Sequence, residues 1–156
     1  MDTLPQRMTA TDGQAGPILE LIRSSFAYMA GRIDPPSSIH RMTEADVLSC
    51  CDTGEVWFIG HPPSACMILT FKSDCLYLGK LAVAANARGK GLARALIDHA
   101  VQRAKVAKLN QLELQTRVEL VENHATFQRL GFVKVAETAH PGYTHATSIT
   151  MRKPVA

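Results

Sequence analysis

Over residues 17–29 the apolar residues Ile18, Leu19, Leu21, Ile22, Phe26 and Met29 recur at steps of three and four, and Pro17 suits a first helical turn. The spacing predicts an amphipathic helix. Residues 31–38 contain Asp34-Pro35-Pro36-Ser37-Ser38, which suits neither helix nor strand, and Thr43 followed by Glu44 and Asp46 reads as the capped, acidic start of a second helix ending near Cys51. The proline segment is therefore expected to be a working loop between two helices. Three β-rich runs follow, at 55–59, 65–71 and 75–83, separated by Gly60-His61-Pro62-Pro63 and Lys72-Ser73-Asp74. They predict an antiparallel meander.

From 90 to 109 the period becomes helical, with Leu92, Leu96, Ala100, Ala104 and Ala107 as a core stripe and Arg94, Arg103, Lys105 and Lys108 among the polar positions. Residues 111–116 alternate as a strand, 123–130 form a short helix stopped at Gly131, and 132–137 and 148–152 read as two more strands. With a short first strand near 6–9, the order is β-α-α-β-β-β-α-β-α-β-β. This is an α+β fold of three layers, a mixed, mostly antiparallel twisted sheet flanked by about four helices. No repeat or linker interrupts it.

Composition narrows the picture. A chain of 156 residues, 46% hydrophobic and 20% charged, predicts a single domain over 1–156, and a mean hydropathy of -0.01 excludes a disordered or collagen-like chain. No apolar run approaches the roughly 18 residues of a spanning helix, and the first ten residues carry Asp2, Pro5, Gln6 and Arg7 where a secretory peptide is apolar. The expectation is a soluble, cytoplasmic protein. A net charge of +3 is too small for a chain selected for nucleic acid or an anionic membrane, so any anion site is local. Cys50, Cys51, Cys66 and Cys75 form no C-x-x-C pair, and the six histidines lack H-x-x-x-H spacing, so reduced thiols and no metal site are expected.

The chemistry concentrates where the strand Leu81-Ala82-Val83 ends, a small-residue loop turns, and a helix begins at Arg88-Gly89-Lys90-Gly91-Leu92-Ala93. Glycines let successive backbone N–H groups converge on an anion, and the helix dipole with Arg88 and Lys90 adds attraction. The turn is suited to phosphate. A P-loop is excluded because Leu92 and Ala93 follow Gly91, and a dinucleotide fingerprint is broken at Arg94 and by the five residues between strand and first glycine. A plain glycine turn capping a helix stays open, though it leaves the Arg-Gly-Lys-Gly cluster without a purpose.

This segment resembles the acetyl-CoA motif [QR]-x-x-G-x-[GA] of the GCN5-related N-acetyltransferase (GNAT) family, which follows a strand of the form L-x-V. Residues 122–132, with Asn123, Ala125, Phe127, Gly131 and Phe132, are similar to the family's later motif in shortened spacing. The resemblance implies that the fourth and fifth strands splay apart and that the cofactor's pantetheine arm lies between them. Leu81, Ala82 and Val83 would then pair with that arm, and the amides of Arg88 through Ala93 would hold the pyrophosphate. Asn123 would hydrogen-bond the pantetheine or the loop beside it, with a plain helix cap as its other reading, and Phe127 would pack against the arm.

The activity implied is direct acetyl transfer from acetyl-CoA to a primary amine, leaving CoA, with no metal and no covalent intermediate. A base or water chain must take the amine's proton; family members often place a glutamate on the fourth strand, where this chain offers Tyr77. Glu113 on the fifth strand is the nearest carboxylate, with a solvated strand-face residue as its plainer reading. Many members carry a tyrosine that protonates the leaving thiolate four residues before the Gly-Phe pair, and Phe127 stands there. Tyr143 and His145 of the last hairpin are the candidate substitutes, or else solvated loop residues. Tyr28, Arg32, His40 and His145 are the candidate acceptor contacts, and a small amine or amino-acid derivative is the expected acceptor because Arg32 and the histidines suit a carboxylate. Neither nucleic acid nor membrane is an expected partner, and a homodimer is left open. The alternative reading is a sensor that binds acetyl-CoA without turnover.

Overall fold

Alternate residues of a strand point to opposite faces, and here both faces of the central strands are apolar, so each face needs a helical cover. A computed structural model, which describes residues 3–155, shows how this is met. The strands are β1 (Gln6–Arg7), β2 (Gly54–Ile59), β3 (Ala65–Phe71), β4 (Leu76–Val83), β5 (Gln111–Arg117), β6 (Val133–Thr138) and β7 (Ser148–Pro154). The helices are α1 (Ala15–Phe26), α2 (Glu44–Thr53), α3 (Leu92–Val106) and α4 (Val121–Arg129). One sheet runs in the order β1-β2-β3-β4-β5-β7-β6, antiparallel at every pair except the parallel β4–β5 pair.

On one face Leu76, Leu78, Leu112 and Leu114 pack under Leu92, Leu96 and Ala100 of α3, with Phe127 of α4 and Leu130 just after it at the edge. On the other, Val56, Phe58, Ile68 and Ala82 pack under Ile18, Leu19 and Ile22 of α1 and Val47 of α2. Burying a leucine such as Leu96 contributes about 1.5–3 kcal/mol, so these two stripes fix which face each helix covers. At the start of α2, Thr43 and Asp46 form a reciprocal capping box. Two expected boundaries move. Ala107 is exposed and lies beyond the last residue of α3, because Lys108 turns the chain out with a φ of 60°. The last helix starts at Val121, two residues before Asn123.

The feature that positions the site is the parting of β4 from β5. Their parallel register holds only at Leu76↔Leu112 and Tyr77↔Glu113. Beyond Tyr77, β4 stays with β3 as far as Val83 while β5 stays with β7 as far as Arg117, so the edges they turn toward each other carry no ladder. A bulge lies at the parting point: Ile68 pairs with Gly79 and Cys66 with Ala82, leaving Lys80 and Leu81 opposite Met67 alone. An extra residue bends and twists its strand, which carries β4 away from β5. Lys80 takes up the bend with a φ of 52°, a conformation that costs a side-chain-bearing residue about 1–2 kcal/mol.

Candidate functional site

A cleft of about 990 Å³ opens at the parting of β4 and β5. Its walls include Gly79 through Val83 from β4, Leu114 through Arg117 from β5, and Asn123, Thr126, Phe127 and Leu130 from α4 or its end. The loop after α1 adds Tyr28 and Met29, and Ser37, Ser38 and Ile39 come from further along the same connection. The sequence expectation of splayed strands is thus realised as an open backbone edge. One group is already engaged: the Ser25 hydroxyl donates to the Val83 carbonyl over 3.3 Å.

Arg88 and Ala93 bring the glycine turn to one end of the cleft. A single 3-10 turn over Ala85–Ala87 leads into Arg88 in extended conformation, then Gly89 and Gly91, both at φ 78°. Gly91 is the N-cap of α3, no side chain caps the helix, and its first turn holds no acid. The leading N–H groups of a fifteen-residue helix are therefore free to meet an anion. A Cβ at either glycine would meet nothing within 4 Å, so the left-handed backbone, rather than lack of room, is what calls for glycine. The space above the turn is open.

Phe127 lines the cleft and packs edge-on against buried Phe132, ring centroids 5.9 Å apart. Asn123 also lines it, in the first turn of α4 rather than at its cap; its side-chain amide donates to the Tyr28 hydroxyl over 3.2 Å. A cap role for Asn123 is therefore replaced by a link between α4 and the loop after α1. Tyr77 lines the cleft below the bulge, its hydroxyl pushed above the ordinary tyrosine range by burial, with the Lys72 ammonium 4.6 Å from its ring.

Five expected residues, Glu113, Tyr143, His145, His40 and Arg32, lie outside the cleft lining. Glu113 is buried at 6% exposure and does not line the cleft; it accepts from Lys72 at 2.8 Å and from Arg152 at 3.0 Å. Burial pushes its carboxyl up, but those two cations outweigh burial and hold it below the ordinary glutamate range. This is the reverse of what a solvated residue or a waiting base requires. Tyr143 does not line the cleft and donates to Asp34 Oδ1 over 2.5 Å; that bond, and then desolvation, push its hydroxyl up. His145 is exposed and stacks edge-on against Tyr143. His40, in a 3-10 turn over Ser38–Arg41, is exposed and outside the cleft.

Arg32, expected to hold a carboxylate of the acceptor, is already paired with Glu122 at 2.6 Å and lies over the Tyr28 ring. Arg103, expected on a solvated helix face, instead makes two hydrogen bonds to buried Glu55, of 2.8 and 2.6 Å.

Sequence reasoning missed Lys80 and Cys50. Both line the cleft, and they lie within electrostatic reach of each other. Burial pulls the Lys80 ammonium below the ordinary lysine range and pushes the Cys50 thiol up. A lysine interrupting the apolar run Leu78-Gly79-Lys80-Leu81-Ala82-Val83 is the sequence signal that marks it. Among the described residues, no group of three His, Cys, Asp or Glu side chains is arranged to hold a metal.

The family model described as Acetyltransferase (GNAT) family matches residues 20–132. A search of curated protein sequences found no match. Among solved structures, a putative acetyltransferase of the GNAT family from Desulfovibrio desulfuricans is similar in fold, with a TM-score of 0.77 at 16% identity, over 98% of this chain and 99% of that one. A GNAT family acetyltransferase from Elizabethkingia anophelis with acetyl-CoA bound gives 0.70 at 14% identity over 97% of both chains. The ribosomal-protein-S18-alanine N-acetyltransferase from Escherichia coli gives 0.70 at 16% identity, over 98% of this chain and 95% of that one.

Proposed function

The chain belongs to the acetyltransferase (GNAT) family, whose members are acyltransferases that use acetyl-CoA, and from that premise we propose that it acetylates a primary amine directly. The acceptor we assign is a small molecule or amino-acid derivative rather than a nucleic acid or a membrane component. We place the reaction in the cytoplasm and leave a homodimer open. The observation that carries the reading is the open edge of β4 beside an uncapped helix N-terminus reached through two left-handed glycines.

The residues present fit acetyl-CoA. Gly89 and Gly91 take the left-handed turn, a Cβ at either would meet nothing within 4 Å, and the amides from Arg88 to Ala93 would hold the pyrophosphate. The exposed edge of β4 at Leu81, Ala82 and Val83 suits an extended amide-bearing arm, and Phe127 and Leu130 give it an apolar wall. When bound, acetyl-CoA supplies the acetyl carbon that the amine nitrogen attacks, and the C–S bond breaks with its electron pair on sulfur.

The chain's own contribution is positional. At the bulge Lys80 and Leu81 stand opposite Met67 alone, and we assign the backbone N–H groups of this segment the task of polarising a carbonyl placed there. The one carboxylate lining the cleft among the described residues, Glu122, is held by Arg32, so no free carboxylate there receives the amine's proton and we assign it to water, with His140 the other group in the cleft able to accept it. That same lack of a free carboxylate favours the second reading, a sensor that binds without turnover.

The test combines calorimetry of CoA binding with thiol release from acetyl-CoA over a panel of amines. Binding with release supports acetyl transfer. Binding with no release on any amine would establish the sensor, and absence of binding would overturn both.

A further inference from the structure

The end of the cleft toward α1 and α2 is walled by Phe26, Met29, Ile39 and Met42, a surface of carbon and sulfur. Lys80 lines the same cleft at the bulge of β4, within electrostatic reach of Cys50 of α2. The other charged groups of the cleft's middle are engaged: Glu122 with Arg32, and Arg117 with the carbonyls of Pro35 at 2.6 Å and Pro36 at 3.5 Å. Arg88 lies at the far end, beside the glycine turn. Among the described residues the Lys80 ammonium has no ion pair and no side-chain hydrogen bond. Its depressed basicity is the signature of a charge that has lost water and gained nothing in return.

An arriving anion would supply that missing partner, and the apolar walls around it would bury a hydrocarbon body. We infer that Lys80 anchors the acceptor through a carboxylate, so that the acceptor class is an amine carrying both a carboxylate and an apolar side chain, the composition of an apolar amino acid. This inference rests on the acetyl-transfer reading above. It replaces Arg32 as the carboxylate contact, since Arg32 already has Glu122. The position also suits the chemistry: Lys80 is itself a residue of the bulge where β4 parts from β5, so an anchored carboxylate would keep the amine of the same molecule within the cleft.

The test uses the purified chain and acetyl-CoA with two matched pairs of acceptors, phenylalanine against phenethylamine and leucine against isoamylamine. Wild type is expected to prefer the carboxylated member of each pair. Lys80→Met should lose about tenfold or more in kcat/KM toward phenylalanine and leucine, mainly through KM, the size of a charge-assisted hydrogen bond removed. Toward the decarboxylated amines the change should be much smaller, so that the preference within each pair disappears. Lys80→Arg should keep the preference, and an unaltered CoA affinity of Lys80→Met by calorimetry shows that the variant is folded. Turnover of all four amines without preference, or equal losses on both members of a pair in Lys80→Met, overturns the anchor and leaves acetyl transfer standing. Failure of every amine in a broad panel overturns acetyl transfer itself, and the anchor with it.

Discussion

Tyr143 and Asp34 are joined hydroxyl to carboxylate over 2.5 Å, a bond that ties the β6–β7 connection to the proline loop between α1 and α2. Asp34 also donates its backbone N–H to Glu119 over 3.0 Å, and Arg117 holds the carbonyls of Pro35 and Pro36. The loop that supplies Ser37 and Ser38 to the cleft is thus strapped to β5 and its following turn. Tyr143 belongs to this strap and is spent on Asp34.

Tyr143→Phe is accordingly expected to raise KM for the acceptor, by loosening the strap, with kcat and the alkaline limb of the pH–rate profile unchanged. Phe127→Tyr, which restores a hydroxyl inside the cleft, is expected to raise kcat. Steady-state kinetics of both variants across pH decide the matter. A drop in kcat and a shifted alkaline limb in Tyr143→Phe would return the tyrosine to the role of acid.

Gly91→Glu is expected to weaken CoA binding by about tenfold or more, at least about 1.4 kcal/mol. A side chain there is forced into a left-handed backbone, and its charge repels a pyrophosphate from the uncapped start of α3. Calorimetry measures the loss. The control is Lys105→Gln, an exposed position in the last turn of α3, which should leave binding intact. Arg103 does not serve as that control, because it is bonded to Glu55.

Glu55 should make the fold acid-sensitive. Burial raises its carboxyl, but the bonds from Arg103 and the Trp57 N–H outweigh that and hold it below the ordinary glutamate range. Glu113 is held down in the same direction by Lys72 and Arg152. A folded pKa below the unfolded one gives stability that is whole above the unfolded value of about 4.3 and is lost as pH falls through the lower folded value. The melting temperature should therefore drop on acidification below about pH 4.3, and drop less steeply in Glu55→Gln than in wild type. Arg103→Ala should cost roughly 2 kcal/mol near neutrality, less than a fully buried pair because the Arg103 side chain is 26% exposed. Denaturant titration reads the latter.

Turnover should rise with pH toward the acceptor amine's own pKa, about 10 for a simple primary amine, because only the neutral amine attacks. Glu122 and Glu113 are both held by cations, and the Tyr77 hydroxyl is pushed above its ordinary range. None is poised to take the proton near neutrality. A profile of kcat/KM against pH checks this. A plateau setting in near pH 6.5 would instead identify a histidine base, with His140 the residue to substitute.

What the sequence by itself determined is what short-range rules control. Ile18, Leu19 and Ile22 repeat at helical spacing, Thr43 and Asp46 form a cap within four residues, and Gly89 and Gly91 admit the left-handed turn before α3. Element order and the location of the glycine turn therefore followed from neighbours in the chain. The tertiary structure decided the fate of each charge. Arg103 and Lys105 are alike in sequence, yet one meets a buried glutamate on β2 and the other meets water. Glu113 reads as a strand-face carboxylate until Lys72 and Arg152 arrive from other parts of the chain to neutralise it. Lys80 carries an unpaired charge into the cleft because the bulge, the parting of β4 from β5 and the packing of α2 meet at that residue. Partners distant in sequence set the local dielectric and the available counter-charge, and those two quantities decide what an ionisable side chain does.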